Sequence, residues 1–182
     1  MAETDTQQGP REEERQRVSG YLLSQGEKYG WLELWPRVVQ GRLEFLEAIR
    51  DVSEEQGDFR SGEGDWTIRE VAHHVLAGSR GVAEMITRLA GGQTAESVRW
   101  TDPAQEPAST SLSELRAEIL ADSVAFSNLT VQFPDDVSLE PTAPHSFFGE
   151  LHCRGWFMFQ RVHDQDHARQ VQAIKESAGY PA

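Results

Sequence analysis

The stretch His163-Asp164-Gln165-Asp166-His167 decides how the rest of the chain is read. It lies in a segment, 149–176, that contains no proline and that the sequence predicts as one long helix. Residues four apart on a helix share a face, one turn apart. His163 and His167 can therefore aim both imidazoles at one point, which is the geometry by which a helix holds a metal ion. The same stripe carries Trp156, Phe159 and Gln160 before the pair, and Val171 and Ile174 after it. The pair thus faces a helical interior, where unpaired imidazoles are costly to bury. Two histidines at this spacing also arise by chance, so the reading depends on a third from elsewhere.

Composition narrows the classes. The chain has 182 residues, enough for one domain with a full core, and a formal net charge of −13. Such acidity argues against nucleic acid and against an anionic membrane surface as partners. No run of about 18 apolar residues offers a membrane-spanning helix. The lone cysteine, Cys153, excludes an intramolecular disulfide and fits a cytoplasmic location. Residues 1–16 are polar and charged without the apolar core of a signal peptide, and are expected to be a disordered tail; 17–182 are expected to form a single domain.

From the N-terminus, residues 18–29 suggest a short leading helix. From Trp31 to Val52 apolar residues recur at helical spacing, with Pro36 tolerated near the start. Residues 53–65 are rich in glycine and acid and read as a loop. Thr67 with Glu70 makes a capping box, Trp66 and Val71 a hydrophobic staple, and an apolar stripe then runs to Gly91-Gly92. His74 lies in this stripe, while His73 is turned about 100° from it, towards the surface. Residues 91–109 form a connection long enough to cross the molecule, so the helices it joins could run parallel. A third helix opens on a box of Ser111 with Glu114 and continues through Val131 to Pro134. Residues 134–148 form a second loop before the fourth helix. Four amphipathic helices with long links predict an all-α four-helix bundle with a crossover.

The candidate site is then His74, His163 and His167. Three imidazoles leave a metal an open position, the pattern of catalytic rather than structural sites. The donors suit Zn, Ni, Fe, Co or Cu without choosing among them. The alternative is that His74 is a core histidine satisfied by its neighbours.

Trp66-Thr67-x-x-Glu70-x-x-x-His74, then Gly149-Glu150-Leu151, then His163-Asp164-x-x-His167-x-x-Gln170 together resemble the DinB/YfiT-like superfamily over roughly residues 31–176. The resemblance implies an up-down-down-up bundle, often dimeric, with a divalent metal on three histidines that match His74, His163 and His167. It implies activities such as thiol-dependent S-transfer or metal-dependent hydrolysis. His152 departs from the pattern, standing where a small helix-capping residue is common.

Other candidates carry less. Glu70-x-x-His73 is half of a di-iron motif whose second copy is missing. His152 is too far along a helix from His163 to join it, and His145 is expected at the surface. Cys153 reads as a packed small residue, Trp156 as a core residue that could wall the pocket, and Asp164 and Asp166 as a solvated face rather than outer partners of the metal. No Walker loop, dinucleotide fingerprint or nucleophile elbow is present. The reading is a metal-dependent thiol S-transferase acting on a small electrophilic substrate, with a low-molecular-weight thiol as cosubstrate, and expected to be a homodimer. Its alternatives are a metal-dependent hydrolase and a non-catalytic module that binds a small ligand or partner.

Overall fold

A computed structural model describes residues 12–95 and 110–182. In chain order the elements are α1 (Glu12–Lys28), α2 (Trp31–Ile49), α3 (Glu54–Gly57), α4 (Ile68–Ala90), α5 (Leu112–Ser127), α6 (Leu129–Gln132), β1 (Thr142–His145), β2 (Gly149–His152) and α7 (Cys153–Lys175). The bundle consists of α2, α4, α5 and α7.

The helices begin where their caps require. Thr67 Oγ1 accepts from the Glu70 backbone N–H while Glu70 Oε2 accepts from that of Thr67, at 3.2 and 2.7 Å. Ser111 and Glu114 repeat the arrangement at α5, and Glu54 adds a carboxylate that accepts from the N–H groups of Leu112 and Ser113. Each carboxylate also meets the positive end of a helix.

Two apolar clusters give the helix directions. One contains Trp31, Leu34, Val82, Leu89, Phe126, Trp156 and Phe157. The other contains Phe45, Ile49, Ile68, Val75, Leu112, Ile119, Val171 and Ile174. Following each chain from one cluster to the other, α2 and α7 run one way and α4 and α5 the opposite way. This is the up-down-down-up order, with the parallel α4–α5 pair joined by the long crossover. Residues 96–109, most of that connection, lie outside the described residues. The helix α7 packs against α2, α4 and α1, whereas α5 packs against α4 more extensively than against α2. The α2–α7 contact is close: a Cβ at Gly41 would lie 2.9 Å from the Arg161 carbonyl oxygen, so glycine lets the backbones approach.

Several boundaries differ from the sequence reading. The helix α1 takes in residues 12–16, expected in the tail, because Glu12, Glu13 and Glu14 favour a helix N-terminus and Leu22 anchors the helix in the core; residues 1–11 lie outside the described residues. The third helix breaks at Asn128, leaving α6 as a separate turn. The fourth helix begins at Cys153, not Gly149. Residues 149–152 pair antiparallel with 142–145, Ala143 opposite Leu151 and His145 opposite Gly149, with Gly149 at φ +70°. A single hairpin of four-residue strands is too short for a period-two pattern to register, and Pro144 of β1 sits where only an edge tolerates it. His152 ends the hairpin and caps α7, its Nδ1 accepting from the Gly155 N–H at 3.0 Å. The imidazole thus does the work of the small capping residue expected there.

Candidate metal centre

The capping box of α4 places His74 on the second turn of that helix, on the buried face with Val71 and Val75. The i, i+4 spacing on α7 places His163 and His167 opposite it. His74 Nε2 and His163 Nε2 are 3.2 Å apart, and one ring nitrogen from each of the three histidines lies within 4.8 Å of the others. Their ring centroids are 4.5–5.2 Å apart. His74 and His163 are buried; His167 is partly so. Among the described residues no carboxylate or cysteine joins the cluster.

The donors fit a divalent ion. About 2.0–2.1 Å from metal to imidazole nitrogen, in a tetrahedral arrangement, separates two ligand nitrogens by roughly 3.4 Å, which the observed spread brackets. Protonation also suits. Burial first, then the charges of His163 and His74, hold His167 well below the usual histidine range, against a smaller upward pull from Gln170. The Gln170 carboxamide oxygen lies 2.8 Å from His167 Nδ1. That oxygen only accepts, so the proton sits on Nδ1 and Nε2 is left with its lone pair.

Aromatic rings enclose the cluster. Trp66 lies 4.9 Å from the His74 ring and stacks within 16° of His167 at 6.3 Å. Phe159 lies 5.5 Å from His163. On its other side Phe159 meets His145 at 4.5 Å, so His145 is buried rather than at the surface. Its Nδ1 accepts from the Phe147 and Phe148 N–H groups, closing the hairpin turn. Burial, and then the nearby His163, lower His145 to about 4.

Asp164 departs furthest from expectation. It is fully buried, while Asp166 is exposed. Asp164 Oδ2 accepts from Arg42 Nε at 2.7 Å and Oδ1 from Gln160 Nε2 at 2.7 Å, with Oδ1 also 3.8 Å from His163 Nδ1. Arg42 extends the network through Nη2 to Ser79 Oγ at 2.9 Å and through Nη1 to Asp122 at 3.3 Å, and the Ser79 hydroxyl donates to Asp122 at 2.6 Å. Burial raises the Asp164 carboxyl, but the charge and hydrogen bond of Arg42, together with His163, outweigh it and leave it below the ordinary range.

His73 is half-buried and contributes no atom to the cluster. Cys153 is fully buried and burial pushes its thiol up, which fits a packing role. Trp156 packs against His145 and Phe159. Sequence reasoning passed over Arg42, although it interrupts the apolar stripe Val38-Arg42-Phe45-Ile49. A cation in that position requires a buried carboxylate to pair with.

The model of the DinB superfamily matches residues 37–171. The chain belongs to the DinB superfamily. The histidine cluster, the α4 cap and most of α7 fall inside the matched span. Two solved structures share the fold of this DinB-superfamily chain. TT2238, a four-helix bundle protein, is 26% identical over 79% of this chain and 98% of its own, with a TM-score of 0.59. YfiT from Bacillus subtilis, described as a probable metal-dependent hydrolase with an unusual four-helix bundle topology, is 14% identical over 100% of this chain and 97% of its own, with a TM-score of 0.63. No curated protein matches the chain. Among the described residues no helix is long and apolar enough to cross a membrane.

Proposed function

We propose that His74, His163 and His167 hold a divalent metal ion, and that the chain is a metal-dependent enzyme transferring a low-molecular-weight thiol to a small electrophile. The observation that carries the reading is the convergence of three imidazoles, joined by no carboxylate among the described residues, beneath an aromatic wall. When bound, the ion would act as a Lewis acid that lowers the pKa of a ligated thiol or water. Three neutral ligands leave its charge uncompensated, which favours an anionic nucleophile in the open position.

The protein side chains have separate tasks. Gln170 holds the His167 tautomer through Nδ1. Asp164 neighbours the far side of the His163 ring, its own charge balanced by Arg42. Trp66 and Phe159 limit water around the histidines and offer an apolar surface to a substrate. A thiol needs no further base once deprotonated on the ion, and this agrees with the absence of a carboxylate from the described cluster.

Hydrolysis is the second reading, favoured by the description of YfiT, whose bundle this chain shares. In the same proposal the chain works in the cytoplasm as a homodimer joined through helix faces away from the histidines. The test loads the protein with Zn²⁺, Ni²⁺ or Fe²⁺ and supplies chlorodinitrobenzene with a panel of thiols, and separately nitrophenyl acetate without thiol. Thiol- and metal-dependent loss of the electrophile supports transfer. Thiol-independent ester cleavage supports hydrolysis. Ligand binding without turnover of either reagent overturns both in favour of a binding module.

A further inference from the structure

His152 stands where a small capping residue is common, and it joins three elements. Its Nδ1 accepts from the Gly155 N–H at 3.0 Å and caps α7. It closes β2 opposite Thr142 of β1. It also meets α1: a Cβ at Gly26 would lie 2.5 Å from His152 Cε1, so the ring is pressed against the α1 backbone and is only 4% exposed. Serine, threonine or asparagine would cap a helix as well. None of them titrates near neutrality, whereas imidazole does. An Nδ1 that accepts a hydrogen bond has no proton of its own, so the neutral ring carries its proton on Nε2. A second proton must go to Nδ1. There it removes the acceptor, sets one N–H against that of Gly155, and puts a positive charge at the positive end of α7.

The helix α1 lies outside the four bundle helices, and Leu22 is its one fully buried side chain. Its other ties to the hairpin and α7 include Ser19 Oγ donating to the Phe148 carbonyl at 2.7 Å, Arg161 donating to the Tyr21 hydroxyl at 2.8 Å, and Arg15 at 5.2 Å from the Phe147 ring. None of these groups changes charge between pH 5 and 7. Burial, the largest influence on His152, holds it below the usual histidine range. The Leu23 carbonyl and Glu27 of α1 favour a proton there, and Arg154 of α7 opposes one. Thr142 on β1 is uncharged, Glu150 on β2 is exposed, and burial keeps the Cys153 thiol neutral. With α1 away, the ring meets water and returns toward the ordinary value of about 6.5. The released state therefore binds the proton more tightly. Docking of α1 is at full strength above about pH 6.5 and weakens as pH falls below it.

We propose that His152 is an acid-sensitive latch: a proton on Nδ1 uncaps α7 and frees α1 while the four-helix bundle stays folded. The effect reaches the histidine cluster. Ser19 of α1 holds the hairpin turn at Phe148, and Phe148 packs on Phe159, which lies against His163. Freeing α1 loosens that wall. The latch itself does not depend on what the cluster binds.

Hydrogen exchange followed by mass spectrometry tests this on chelator-treated full-length protein, so that loss of metal plays no part. After correction for the intrinsic pH dependence of exchange, protection of α1 amides 18–28 falls at least fivefold from pH 7 to pH 5, relative to α4 amides 75–86. The fall stays below about 30-fold, the ratio at which a free imidazole of pKa about 6.5 is protonated at pH 5. His152→Asn keeps a capping side chain that does not titrate, and the relative fall disappears. Linkage supplies a second readout: Leu22→Ala loosens α1 without touching the ring, and the His152 Cε1–H signal then titrates at higher pH than in the wild type. Three results overturn the latch: α1 and α4 losing protection in step, the same α1 loss in His152→Asn, or a His152 titration that Leu22→Ala leaves unmoved.

Discussion

Arg42→Met removes the charge at the centre of the bundle while keeping most of the side-chain length. Its cost follows from what is left behind. Asp122 has 9% side-chain exposure and retains the Ser79 hydroxyl at 2.6 Å. Asp164 has no exposure and retains on Oδ1 the Gln160 amide and, at 3.8 Å, His163 Nδ1, with Oδ2 unmatched. Removing one partner of a buried ion pair costs about 3–5 kcal/mol, most of it the uncompensated ion that remains. For a domain of this size each kcal/mol lowers Tm by about 2–4 °C, so a fall of roughly 6–20 °C is expected. In the wild type, Arg42 holds the Asp164 carboxyl below its ordinary value, so this contribution to stability is present above about pH 4 and lost as pH falls through the lower folded value. In the variant burial is opposed by His163 but no longer by Arg42, the carboxyl rises, and the deficit shrinks from pH 7 to pH 5 as Asp164 takes up a proton. Urea unfolding followed by circular dichroism at both pH values measures this. Adding Asp164→Asn to the variant recovers at least about 2 kcal/mol, since the orphaned charge is removed. A loss below about 1 kcal/mol at pH 7, or no recovery in the double variant, refutes the reasoning.

Four further outcomes are expected. Alanine at His74, His163 or His167 lowers Zn²⁺ or Co²⁺ affinity, read by competition with a chelating dye, by more than the ~10–100-fold typical of losing an outer partner; His73→Ala leaves it nearly unchanged. Gln170→Leu falls within that ~10–100-fold range, because the His167 tautomer is no longer held. Between pH 6.5 and about 4 the unfolded chain binds a proton at His145 that the folded chain refuses, so up to about 3 kcal/mol of stability is lost as pH falls through that window, and His145→Phe makes the pH–stability curve flatter by that amount. Thr67→Ala costs about 1 kcal/mol in thermal unfolding, the value of an N-cap, since its hydroxyl alone accepts from the Glu70 N–H at that turn.

The parts legible in the sequence were those written in local patterns. Thr67 with Glu70 and Ser111 with Glu114 marked two helix starts to the residue, because a capping box is a contact within four residues. His163 and His167 were legible because helical periodicity alone places them together, and His74 because the same periodicity puts it on the stripe of Val71 and Val75. The hairpin was hidden because its signal is long-range: nothing in Gly149-Glu150-Leu151-His152 distinguishes a strand from the first turn of α7 until Thr142–His145 lies beside it. Asp164 was misread for a related reason. Between Asp166 and His163 it looks like one acid of a solvated run, and only the approach of α2, permitted at Gly41, brings Arg42 against it. His145 likewise looked like a loop residue until the hairpin folded it onto Phe159.

These late-appearing residues share one level of the bundle. Between the two apolar clusters each bundle helix contributes a polar side chain: Arg42 between Val38 and Phe45, Ser79 between Leu76 and Val82, Asp122 between Ile119 and Phe126, and Asp164 between Phe159 and Val171. Four apolar residues at that level would let the helices slide or rotate past one another with little penalty. A buried network of directional hydrogen bonds penalises each such shift by leaving an unmatched charge. Asp164 is adjacent in sequence to His163, so whatever fixes the rotation of α7 for Arg42 also fixes the direction in which His163 and His167 point. The ion-pair layer is therefore best understood as the device that holds the α7 histidines in register with His74, and its contribution to the site is orientation more than net stability.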